Sequence, residues 1–275
     1  YAGANGGEVT GSSKAALREP VPYGMVLVKR GSLKMGEEAG DSLWGSNTPT
    51  KEISVESFWM DEKEVSNAKY RQFVEWVRDS IIRTRLADPA YGGDESFMIT
   101  EDKYGEPVTP HLNWIKPIPW KKPNEDQQRA IESVFYTHPI TGEKLLDVKQ
   151  LNYRYELFDY TQAALRKNQL DPNDRLRNTD QEVSKEKVII SKDTAYIDDN
   201  GNIVRKTLNR ELSNLYDFVN TYIVNIFPDT TCWVNDFPNA NNETYMRLYF
   251  NHPNYDDYPV VGVSWEQANA FCAWR

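Results

Sequence analysis

The sequence predicts an α+β fold that is rich in loops, with short strands and a few amphipathic helices. Three observations predict it. Apolar residues alternate with polar ones over residues 25–35 and 51–60. A helical stripe follows at once, with Tyr70, Phe73, Val74, Val77 and Ile81 spaced to share one face. The stretch "PVTPHLNWIKPIPWKKP", residues 107–123, then carries five prolines, which neither a helix interior nor a central strand accepts.

In the first alternating segment, Met25 and Leu27 begin a strand, Gly31-Ser32 interrupts it, and Leu33 and Met35 resume. That pattern suits a hairpin or a bulged strand. "KEISVESFWM" supplies the next strand, with Ile53 and Val55 on one face. Ser66 is placed to cap the helix, because its hydroxyl can accept from the first free backbone N–H groups. Asp61, Glu62 and Glu64 are the acids expected to offset its N-terminal dipole. Each stripe residue contributes about 1.5–3 kcal/mol if fully buried. Lys69, Arg71, Glu75 and Arg78 form the face expected to meet solvent.

Beyond the helix, the proline-rich stretch should lie extended over a surface, pinned by Trp114, Ile118 and Trp120. "YRYELFDYTQAALRKNQ", residues 153–169, reads as helical. "VIISKDTAYIDDNGNIVRKTL" reads as a β-hairpin, with Asn200-Gly201 as a type I′ turn. "ELSNLYDFVNTYIVNIF", residues 211–227, reads as a second helix, with Leu212, Leu215, Tyr216, Val219, Tyr222, Ile223 and Ile226 on one face and Pro228 as its stop. Val260, Val261 and Val263 form a short buried strand. Ser264 and Gln267 then stand in the relation of a capping box, opening a helix whose inner face is Ala268, Phe271 and Cys272. No stop signal precedes Arg275, so that helix is expected to continue and the chain to be part of a longer domain.

Composition narrows the function classes. The chain has 275 residues, 39% hydrophobic and 27% charged, within the range of folded proteins. Aromatics reach 12%, which suits either a loop-rich fold cemented by half-buried rings or an extensive protein-binding surface. Net charge is −9, from 41 acidic and 32 basic residues. Basic residues are interleaved with acids, as in "TDQEVSKEK", so no positive face for nucleic acid is expected. The longest apolar runs, such as "YIVNIF", fall far short of a membrane span. Residues 1–19, "YAGANGGEVTGSSKAALRE", are rich in Gly, Ser and Ala and read as a flexible tether. Because the chain starts at Tyr1, either an export signal has been removed or the chain has been trimmed.

Candidate chemistry is sparse. Cys232 and Cys272 permit one disulfide, and Cys272, among Phe271 and Trp274, reads as a buried inert thiol. His111, His138 and His252 lie in loop-like segments with no paired spacing for zinc or catalysis. "DDNGN" offers Asp198, Asn200 and Asn202 to calcium, but Ile203 stands where the loop needs Gly and Asn209 where it needs Glu, so a turn explains them better. Asp61, Glu62 and Glu64 are better explained by a helix terminus than as an acid/base group, and Asp256-Asp257 by a bend. No catalytic, cofactor-binding or metal-binding residue is therefore assigned.

Three ordered segments carry a resemblance: "GMVLVKRGSLKMG", "FWMDEKEVSNAKYRQFV" and "YPVVGVSWEQANAFCAWR". They are similar to the formylglycine-generating (sulfatase-modifying) enzyme domain, at residues 25–36, 64–73 and 259–274. Within that domain, "YRQFVEWVRDSI", "FPDTTCWVNDF" and "NHPNYDDYPVVGVSW" further resemble the GldK/PorK-type outer-membrane lipoproteins of the type IX secretion and gliding machinery, with the related GldJ-like lipoproteins as the nearest confusable group. The resemblance implies one sulfatase-modifying-like domain from residue 20 to 275, with a Tyr/Pro-rich insertion at about 86–227. It implies a non-catalytic, lipid-anchored component on the periplasmic face of the outer membrane, self-associating into a ring with a GldN/PorN-type partner and without a cofactor. The alternative is an oxidase of the formylglycine type. Cys272 matches the domain's structural "F-C-x-W" position, so no catalytic role passes to it.

Overall fold

A computed structural model of the chain describes residues 20–36, 50–171 and 187–275. The expected tether at 1–19 lies outside them. The chain divides into two compact units, Tyr1–Val65 and Ser66–Arg275.

In the first unit, β1 (Met25–Val28) pairs antiparallel with β4 (Phe58–Asp61), and β2 (Gly31–Met35) with β3 (Lys51–Val55). The first alternating segment is thus neither a hairpin nor one bulged strand. Its two halves each pair with the later segment, in register Met25↔Asp61 and Leu33↔Ile53.

The second unit is built on α1 (Asn67–Ala87), capped by Ser66, whose hydroxyl accepts from the Lys69 N–H at 3.5 Å. Its first turn carries no acid. Asp61 instead ends β4, and the Glu62 N–H donates to the Gly24 carbonyl, so the expected dipole compensation is absent. Tyr70, Phe73, Val74 and Val77 are buried as the spacing predicts. Over the last turns the stripe continues through Ile82 and Leu86, with Ile81 only partly buried. Arg71 and Arg78, expected in solvent, are half-buried. Arg71 meets the Asp256 carboxylate at 2.6 Å, and Arg78 lies over the Trp120 ring.

Next come β5 (Met98–Glu101) and β6 (Pro107–Leu112), an antiparallel pair, then α2 (Glu125–Glu132) and the pair β7 (Phe135–Thr137) and β8 (Lys144–Leu146). Ile82 and Leu86 of α1 share a core with Phe97, Ile118, Ala130, Ile131 and Val134. The proline-rich stretch is extended and pinned as expected. Trp114 stacks on Trp76 at 4.9 Å, and the buried Arg83 lies over Trp114 while donating to the Asn113 and Lys116 carbonyls.

Two expected helices are mostly strand. β9 (Asn152–Phe158) is followed by one helical turn, α3 (Tyr160–Ala163), and β12 (Val219–Asn225) pairs with β9 in register Tyr222↔Tyr155. Between them lies the hairpin of β10 (Ile189–Ile197) and β11 (Ile203–Glu211). In "NYRYELF" the Tyr153, Tyr155, Leu157 set alternates with Arg154 and Glu156, a period of two. In "VNTYIVN" the β-branched Val219, Thr221, Ile223 and Val224 favour extended backbone, and the strand is buried on both faces, which hides any alternation. Pro228 follows the end of this strand rather than of a helix.

After the short helices α4 (Cys232–Asn235) and α5 (Glu243–Leu248), α6 (Trp265–Trp274) opens with the predicted capping box of Ser264 and Gln267. Gln267 also donates from Nε2 to the Asn225 and Phe227 carbonyls, tying α6 to the end of β12. The preceding valines form no strand; their segment contributes a single bridge, Ser66↔Pro259. The inner face of α6 is Ala270 and Phe271, whereas Ala268 and Cys272 are exposed. Phe271 stacks on Tyr70 at 5.6 Å and meets Phe73 edge-on, while Phe73 also touches Tyr153 and Trp274. The aromatic content therefore serves in large part as mortar between α1, β9 and α6.

Two substitutions test this framework by denaturant unfolding. The buried Tyr70 hydroxyl donates to the Ile226 carbonyl at 2.9 Å, and Tyr70→Phe is expected to cost about 1–3 kcal/mol by removing that donor. Gly262 has φ +76°, and a Cβ there would sit 2.1 Å from the Asp229 carbonyl oxygen. Gly262→Ala is expected to cost about 2–4 kcal/mol, since strain and a backbone clash combine.

Candidate interaction site

The β10–β11 hairpin is exposed along most of β11, so its turn and its two faces define what it can meet. Asp198 to Asn202 close it. The Asp198 N–H donates to the Asn202 carbonyl and the Gly201 N–H to the Asp198 carbonyl. Gly201 has φ +81°, but Asn200 does not have positive φ, so the turn is not type I′. It fits the three-residue loop that ends on a left-handed glycine. The Asp198 carboxylate accepts from the Asn200 and Asn202 N–H groups, and these bonds hold it below the usual carboxylate range. Those oxygens are committed to the turn, as the sequence reading of "DDNGN" expects.

Residues opposite one another in an antiparallel ladder share a face. Tyr196↔Val204, Thr194↔Lys206 and Lys192↔Leu208 therefore form one face, and Ala195↔Arg205 and Asp193↔Thr207 the other. On the first, Tyr196 and Leu208 are each 43% exposed, and Lys206 lies over the Tyr196 ring at 5.1 Å. Lys192 extends from the same face to the Tyr216 carbonyl at 3.1 Å, placing Tyr216, 79% exposed, beside it. The root of the hairpin is anchored by Ile190, packed on Leu212 and Phe218. Asp217 supports this turn by accepting from the Ser213 and Asn214 N–H groups, which lower its pKa.

The second face is one wall of a cleft of about 380 Å³, whose other walls are β9, β12 and the first turn of α6. Tyr155 and Tyr222 stack within it at 5.4 Å, and burial raises both phenols, keeping them neutral donors. Arg205 spans the opening with two hydrogen bonds to Glu266, at 2.7 and 2.6 Å. This pair raises the guanidinium and holds the Glu266 carboxyl below its ordinary value. At the back, the Asp193 N–H donates to the side-chain oxygen of the buried Asn220 at 2.9 Å, joining β10 to β12 through a side chain rather than a ladder.

The remaining candidates are dispersed. His111 lies in β6 with its Nδ1 3.0 Å from the Thr109 carbonyl, while the His138 and His252 rings accept from nearby backbone N–H groups. Among the described residues, no group of three or more His, Cys, Asp or Glu side chains could hold a metal ion. Asp256 is an ion-pair partner of Arg71 rather than only a bend residue. Cys232 and Cys272 are both free, so the permitted disulfide is not formed, and Cys272 is exposed rather than buried. Burial raises the Cys232 thiol, helped by Asp229 and Asp236. No described helix is long and apolar enough to cross a membrane.

Residues 11–153, just over half of the chain, match the sulfatase-modifying factor enzyme 1-like domain. The matched span contains the first two segments read from the sequence, 25–36 and 64–73, and ends before the third, 259–274. No curated protein and no solved structure matches the chain.

Two measurements check this description. Glu266→Gln is expected to lower stability at neutral pH by less than about 1 kcal/mol, because both partners are half-exposed. Since the folded pKa of Glu266 lies below its ordinary 4.5, that contribution is present above about 4.5 and fades as pH falls through the folded value. The difference between the two proteins should therefore disappear in acid. Brief treatment of the native protein with a thiol reagent, followed by peptide mass analysis, should label Cys272 ahead of Cys232.

Proposed function

Given that the chain belongs to the sulfatase-modifying factor enzyme 1-like domain family, we propose that it uses the fold as a non-catalytic scaffold of the GldK/PorK type. In this reading it is a lipoprotein of the type IX secretion and gliding machinery, held at the periplasmic face of the outer membrane. It assembles into a ring and carries a GldN/PorN-type periplasmic protein. The observation that carries the reading is the exposed pair Tyr196 and Leu208 on one hairpin face, with Tyr216 exposed on the turn that follows β11. Aromatic and aliphatic side chains grouped on one surface are what a protein partner desolvates. A ring of identical copies also needs two unlike patches per copy, and a hairpin face can serve as one of them.

Removing the insertion at about 86–227 is not a usable test of partner binding. β9 and β12 lie inside that stretch, and Tyr153 of β9 packs on Phe73 of α1. Point changes on the exposed face avoid this difficulty. Leu208→Asp with Tyr216→Asp is expected to reduce co-purification of the GldN/PorN-type protein about tenfold or more, with thermal unfolding unchanged. Undiminished recovery of the partner would place the contact elsewhere.

Membership of the family also favours a second reading, an oxidase of the formylglycine type. Copper-dependent conversion of a cysteine peptide to its aldehyde by the purified protein would select that reading over the scaffold. The GldJ-like lipoproteins share the scaffold reading and are separated from it by the partner recovered.

A further inference from the structure

We propose that the cleft between β12, the β10–β11 hairpin and α6 binds a neutral saccharide. This site lies on the hairpin face opposite the partner surface and does not rest on the secretion reading. Its volume, about 380 Å³, is in the range of small-ligand sites. Its apolar lining combines Leu157, Ala195 and Val224 with the aromatic side chains of Tyr155, Tyr222 and Trp265. Trp265 stands at the rim with 79% of its surface exposed, on a rigid helix start fixed by the Ser264–Gln267 capping box. Tyr155 and Tyr222 stack inside. The apolar C–H face of a pyranose packs against such rings, while its hydroxyls remain at the edges for polar side chains.

Charge balance separates a neutral ligand from an ionic one. The charged side chains on the cleft face are Arg205, Asp193 and Glu266, whereas the Lys206 ammonium lies over the Tyr196 ring on the other face. Arg205 and Glu266 already satisfy each other through two hydrogen bonds. An ionic ligand would have to compete with that pair, whereas a polyol can use its outer lone pairs and N–H groups without breaking it. The other polar groups suit hydroxyls. Asn269 donates from Nδ2 to the Trp265 carbonyl at 3.1 Å, which leaves its side-chain oxygen as an acceptor. Asp193 accepts the Thr207 hydroxyl on one oxygen and presents the other to an incoming donor. An extended peptide is less well served. It needs a run of free main-chain groups along β10, and the Asp193 N–H at the centre of that edge is occupied by Asn220.

The test uses the full chain and four probes: maltotetraose, cellotetraose, chitotetraose and an uncharged extended hexapeptide. Binding is read by saturation-transfer NMR and by tryptophan fluorescence. At least one tetrasaccharide is expected to bind saturably and to perturb tryptophan emission. Trp265→Ala should weaken it about tenfold or more, and Trp265→Phe should restore part of the loss, because a ring face is kept. Asn269→Ala, at a second point of the cleft, should weaken it as well. Thermal unfolding guards against a folding defect, and the exposed Trp265 should leave it unchanged. No binding of any tetrasaccharide, affinity within twofold in both Trp265→Ala and Asn269→Ala, or binding of the hexapeptide alone would overturn the assignment.

Discussion

The wholly buried side chain of Asn67 donates to two carbonyls, Tyr249 at 3.1 Å and Tyr255 at 2.9 Å, while its backbone N–H donates to Tyr258 at 2.8 Å. One turn later Tyr70 reaches the Ile226 carbonyl, and Arg71 pairs with Asp256. The first turn of α1 thus fixes three segments more than 150 residues away in sequence. Satisfying buried carbonyls with side-chain donors is worth more than the average exposed bond, because the alternative is an acceptor stranded away from water. The ring cluster of Tyr70, Phe73 and Phe271 then sets where α6 lies. Through Gln267, α6 in turn holds the end of β12. Hairpin, cleft and exposed patch inherit their positions from this chain of contacts.

Legibility in the sequence followed the range of the determining interaction. α1, its Ser66 cap and the capping box of α6 depend on spacings of three or four residues, and all three are present. The proline-rich stretch is extended for the same local reason. The two misread helices are different. β9 and β12 are separated by some sixty residues and become strands by pairing with each other, Tyr222 against Tyr155. Tyrosines and leucines at chance helical spacing conceal a strand when both of its faces are buried. The alternation of Tyr153, Tyr155 and Leu157 with Arg154 and Glu156 was the signal that could have corrected one of them.

The site was less legible than the fold. A hairpin could be inferred at Asn200-Gly201, but its register decides that Leu208 shares a face with Tyr196 while Arg205 lines the cleft. The turn is closed by Asp198 and Asn202 rather than by a two-residue loop, and no local pattern separates those closures reliably. Tyr155, Asp193, Arg205, Tyr222 and Glu266 come from five different elements. Their convergence is a property of topology, which single-sequence periodicity does not encode. The exposure of Cys272 was misjudged for a related reason: its aromatic neighbours turn inward on α6, whereas the thiol occupies the outward side.

The sheet of β9 and β12 does not extend into the hairpin; β10 meets β12 through the Asn220 side chain and the Asp193 N–H rather than through a ladder. A continuous ladder would make the two open together. Here separate side-chain contacts hold the seam, Asn220 with Asp193, Arg205 with Glu266 and Ile190 with Phe218, so the hairpin can open as its own cooperative unit while the sheet stays intact. Amide protons of β10 and β11 should then exchange with solvent as a group, faster than those of β12. The width of the groove between them becomes a quantity that occupancy on either side can tune.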